Sequence, residues 1–84
     1  MEFEIKKCKT KAAYSAKPLK NTKLDLNKIK KKFKVVADTP IVLVISKENA
    51  GEIIVHNHGE ILFKTLEDEK MIRKIAEEIY EVGK

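Results

Sequence analysis

The residues best equipped for chemistry in this 84-residue chain sit in one short stretch, His56-Asn57-His58-Gly59, inside EIIVHNHGEILFK. Two imidazoles two positions apart could ligate a transition metal or exchange protons near neutral pH. Zinc needs more, and the pair lacks a third ligand or an acid at a suitable spacing. The lone Cys8, with only a distant histidine, makes no arrangement of nucleophile, base and orienting acid. The stretch does have the form of a turn: an apolar run, a short polar loop closed by glycine, and a second apolar run, which is a β-hairpin signature. The expectation is therefore a structural or solvent-exposed turn, with no metal, no cofactor, no catalytic residue and no enzymatic activity.

The second chemically suggestive feature is charge. Residues 1 to 34 hold 12 lysines against Glu2, Glu4 and Asp25, a balance of +9, whereas the remainder carries −4, giving the overall +5. Lys28, Lys30, Lys31, Lys32 and Lys34 fall within seven positions of one another, and Lys64 follows the hairpin. Such a cluster fits phosphate contacts with a nucleic acid, engaged with little base readout. It fits equally a solvated lysine-rich helix face. With 5 aromatic residues, and Phe3, Phe33 and Phe63 assigned to the core, a stacking platform for single strands is poorly supported.

The elements that must position these groups can be read from periodicity. MEFEIKKCKT alternates at Phe3 and Ile5 and breaks step at Lys6-Lys7, which predicts a strand bulged near Lys6. Residues 11–23, KAAYSAKPLKNTK, have no clean period and contain Pro18, so they read as a loop. Leu26, Ile29 and Phe33 share a face of a short helix capped by Asp25, whose other face is Lys28, Lys30, Lys31 and Lys32. Strands are expected at 34–38 and 41–47, hinged at Asp38-Thr39-Pro40, and the unbroken run Ile41 to Ile45 suggests a strand covered on both faces. After the turn at 47–51 and the hairpin, Thr65 is the expected N-cap of a helix running to Val82 with Gly83 at C′. Ile72, Ile75, Ala76, Ile79 and Val82 form its apolar face.

This length allows one domain, residues 1–84, that buries roughly 60 to 65% of its unfolded surface, too little for a cleft between domains. The charged fraction of 37% exceeds the usual quarter, and a Lys- and Glu-rich chain without Trp and with one Cys fits a heat-adapted protein. One cysteine gives no internal disulfide, no apolar run approaches the roughly 20 residues of a membrane span, and MEFEIKK lacks the core of a signal peptide. A soluble, cytoplasmic protein with no membrane partner is expected.

The resulting order, β-α-β-β-β-β-α, describes an α+β fold: a five-stranded, mainly antiparallel sheet with two helices on one face. A ferredoxin-like sheet is the nearest competitor. In this order KLDLNKI (23–29), EIIVHNHGEILF (52–63) and EDEKMIRKIAEEIYEVG (67–83) resemble the first helix, central hairpin and closing helix of one half of the TATA-binding protein. That family joins two such repeats into a saddle that wedges phenylalanines into the minor groove. The chain departs from it, with one repeat only, His56 at the wedge position, Lys64 where a threonine lines the concave face, and Glu52 set to repel phosphates. The resemblance thus implies a homodimer without TATA recognition. A small non-enzymatic module is expected, binding nucleic acid through Lys28, Lys30, Lys31, Lys32, Lys34 and Lys64. The alternative is a protein-interaction or dimerisation domain whose open sheet face, carrying Ile54 and Leu62, is covered by a partner.

Overall fold

The computed structural model describes residues 2–7, 14–20 and 22–84; Cys8 lies outside them. Among the described residues six strands and two helices follow one another: β1 (Phe3–Lys7), β2 (Tyr14–Pro18), α1 (Leu26–Lys32), β3 (Lys34–Asp38), β4 (Val42–Lys47), β5 (Gly51–His56), β6 (Ile61–Phe63) and α2 (Glu69–Gly83). The strands form one antiparallel sheet ordered β1-β2-β6-β5-β4-β3. The α+β class and the antiparallel sheet agree with the sequence reading, but the strand count is six rather than five. The additional strand is β2, which falls in the segment read as a loop. It lies between β1 and β6, where its backbone groups are paired on both sides despite weak intrinsic strand propensity.

Directly opposed residues in antiparallel strands share a face, so the register sorts every side chain. One face holds Leu43, Val55, Ile61 and Ala16 in a row, then Ile45, Ile53 and Phe63 in the next, each fully buried. Onto it pack Leu26 and Ile29 of α1 and Ile72, Ile75, Ala76, Ile79 and Tyr80 of α2, in one core. Of the expected core residues, Phe3, Phe33 and Val82 are half-buried at its rim and the others lie buried within it. Both helices thus cover a single face.

Several local expectations are corrected. Asp68, not Thr65, caps α2, its carboxylate accepting from the Lys70 and Met71 N–H groups, while the Thr65 hydroxyl donates to the Ala50 carbonyl 3.3 Å away. Gly83 is the last helical residue rather than a left-handed cap. A Cβ there would stand 2.9 Å from Ile29 Cδ1, so glycine permits the close crossing of α1 and α2. β1 pairs with β2 without interruption, and the irregularity lies in β3, where the register shifts between Val35 and Ala37. β4 is not covered on both faces: Leu43 and Ile45 are buried, Val42 and Val44 are half-buried on the opposite side, and Ile41 is 62% exposed.

Candidate binding surface

The hairpin turn is built around its glycine. Gly59 has φ +109, and a Cβ on it would meet Pro18 Cγ at 2.7 Å and the Thr22 carbonyl oxygen at 3.1 Å, so the turn seats against the end of β2. From below, the buried Tyr80 hydroxyl donates to the Gly59 carbonyl at 2.7 Å. Burial first, and the Glu60 carboxylate second, push that hydroxyl above its usual range, so it stays a donor. The turn brings His56 and His58 together, ring centroids 5.1 Å apart. His56 Nδ1 lies 3.2 Å from the Glu60 carbonyl, and His58 Nε2 lies 3.8 Å from the Glu60 carboxylate. Among the described residues no group of three or more His, Cys, Asp or Glu side chains is placed to hold a metal ion.

The six lysines singled out in the sequence do not converge. Lys28, Lys30, Lys31 and Lys32 belong to α1, on the helical layer, whereas Lys34 and Lys64 share the opposite face with Ser46 and Glu52. Three are engaged: Lys28 Nζ donates to the Lys84 carbonyl at 2.8 Å, Lys30 Nζ meets Asp38 at 2.8 Å, and Lys64 Nζ meets Glu52 at 3.2 Å. Lys31, Lys32 and Lys34 form no ion pair among the described residues. A concavity of about 590 Å³ beside α1 is walled in part by Lys30 and Asp38, which neutralise one another.

The open sheet face shows a pattern that sequence reading caught only in part. Its middle row runs Ala37, Val44, Ile54, Leu62, Ser15, Lys6 across all six strands. Val44, Ile54 and Leu62 are contiguous and half-buried, and Val42 adjoins them beside His56. An antiparallel sheet with one solvated face ordinarily alternates polar residues outward. Here three adjacent strands turn aliphatic side chains to that side, within a rim of Lys34, Glu52 and Lys64 at one end and Glu4 and Lys17 at the other. Ile54 and Leu62 were recognised from strand alternation. Val44 was hidden by the unbroken apolar run of β4, which assigns no face.

None of the described helices is long and apolar enough to cross a membrane. The chain matches no protein-family model, no curated protein and no solved structure.

Proposed function

We propose that this chain is a small, non-enzymatic binding module that engages a protein partner through the open face of its sheet. The observation that carries this reading is the aliphatic row Val44-Ile54-Leu62, continuous across three strands on the uncovered side and rimmed by charges of both signs. An apolar centre within a polar rim is the anatomy of a modest protein interface. On that face Lys64 is matched by Glu52 and Lys6 by Glu4, which leaves Lys17 and Lys34 as its unmatched positive charges at the rim. The likeness to one half of the TATA-binding protein is part of the proposal. Its support is the order from Tyr14 onward, β2-α1-β3-β4-β5-β6-α2 with β2 beside β6; β1 is then an added edge strand.

A second reading, low-specificity nucleic-acid binding, is favoured by Lys31, Lys32 and Lys34, whose ammonium groups make neither an ion pair nor a hydrogen bond among the described residues. One experiment separates the two. The purified chain, its Ile54→Lys variant and its Lys31→Glu/Lys32→Glu/Lys34→Glu variant are each used for affinity capture from the native cell and for mobility shift of duplex and RNA at low salt. The interface reading expects capture that Ile54→Lys abolishes and the lysine variant keeps. A mobility shift lost in the lysine variant and intact in Ile54→Lys overturns it in favour of the second reading.

A further inference from the structure

We infer that the partner of the open face is a second copy of this chain, stacked sheet on sheet about a two-fold axis that runs along the strands between β5 and β6. The inference rests on reading that face as an interaction surface and names its occupant.

Both edges of the sheet are guarded by the chain itself. β3 has all five residues exposed, Val35 and Val36 among them, but it carries Lys34 at one end, Asp38 at the other and a register shift between Val35 and Ala37. β1 exposes Glu4, Lys6 and Lys7. Charged ends and a bulge are devices that discourage edge-to-edge pairing. Extension of the sheet by a second copy is thereby disfavoured, and the uncovered face is left as the place for association.

That face is complementary to itself. Across β5 and β6 its opposed positions are Glu52 with Lys64 and Ile54 with Leu62. A dyad between these two strands exchanges them, laying Glu52 of one copy over Lys64 of the other and Ile54 over Leu62. The same rotation lays β4 over β2, so Val44 meets the small Ser15, and Val42 meets the stem of Lys17. None of these juxtapositions sets like charges together, and aligned sheets stack at about 10 Å, within the combined reach of a lysine and a glutamate at the rim.

The area sets the strength. Six strands spaced about 4.8 Å apart, five of them five to six residues long and β6 three, make a face of at most roughly 24 by 18 Å, about 430 Å² in projection. This falls short of the roughly 800 Å² that each partner contributes to a standard interface, so the dimer is weak and reversible.

The test is sedimentation equilibrium of the purified chain from about 10 µM to about 1 mM, a span suited to the weak end of the interface range. A dimer should accumulate across that range. Ile54→Lys should raise the dissociation constant by about tenfold or more, because it buries an unpaired charge, while circular dichroism and melting stay those of the parent. Glu52→Lys should weaken dimerisation, and adding Lys64→Glu should restore it, since the swap re-pairs the charges across the dyad. A dimer that survives Ile54→Lys and dissociates with Val36→Lys overturns the assignment and moves the contact to β3. A chain that stays monomeric at about 1 mM overturns the second copy as partner. In that event, retention of a different native protein that Ile54→Lys abolishes leaves the binding-face reading standing, and retention of nothing removes both.

Discussion

Tyr80 joins the end of the helical layer to the hairpin turn through one hydrogen bond, and its ring also packs tilted against Phe3, ring centroids 5.1 Å apart. Tyr80→Phe keeps the ring and leaves the Gly59 carbonyl without this donor, which should destabilise the fold by about 1 to 2 kcal/mol in denaturant titration. The same residue gives a pH dependence with a definite sign. Below pH about 10 the phenol is protonated in both states. Above it the unfolded chain ionises first, the folded chain holds its proton, and stability falls as pH rises towards the raised folded value. Melting curves of parent and Tyr80→Phe between pH 9 and 11 should therefore converge, with the steeper alkaline loss in the parent. Of this site the sequence disclosed the turn glycine and the histidine pair. Tyr80 was concealed, because its partner is 21 positions away and only the docking of α2 brings the two together.

Elements were legible where a periodic pattern stood between clear stops. The hairpin and both helices have such patterns, and each is found where periodicity places it, apart from the first turn of α2. β2 had none: Tyr14-Ser15-Ala16-Lys17-Pro18 buries only Ala16 fully, and its strand conformation comes from neighbours on both sides rather than from its own residues. The start of α2 was misplaced by one turn because Thr65 and Asp68 are both competent caps, and only the structure gives Thr65 another acceptor, the Ala50 carbonyl. The cap assignment makes a prediction. Asp68→Ala should cost about 1 kcal/mol in chemical unfolding, from loss of the bonds to the Lys70 and Met71 N–H groups. Thr65→Ala should leave the helical content of α2 unchanged.

For the whole molecule, the basic balance of the sequence proved a poor guide to any one surface, since the fold distributes the lysines over two faces and pairs three of them. If Lys31, Lys32 and Lys34 do meet phosphates, binding should weaken with salt at a log-log slope near −2.7, about −0.9 for each duplex phosphate neutralised. A slope near zero in mobility-shift titrations would exclude that contact. A different property follows from the corner at which α1 is fastened. The Leu24 N–H donates to the Asn57 carbonyl, the Asp25 N–H to the Gly83 carbonyl and Lys28 Nζ to the Lys84 carbonyl, each at 2.8 Å. At seven residues α1 is far below the roughly 12 to 15 that an isolated helix needs to be even marginally stable in water. It exists only once segments 33 and 58 positions downstream have arrived, so it belongs among the last parts to form and the first to open. Native-state hydrogen exchange should show the amides of α1 opening together with the final turn of α2. Gly83→Ala should strip that shared protection while the amides around Ile72, at the far end of α2, continue to exchange only through global unfolding.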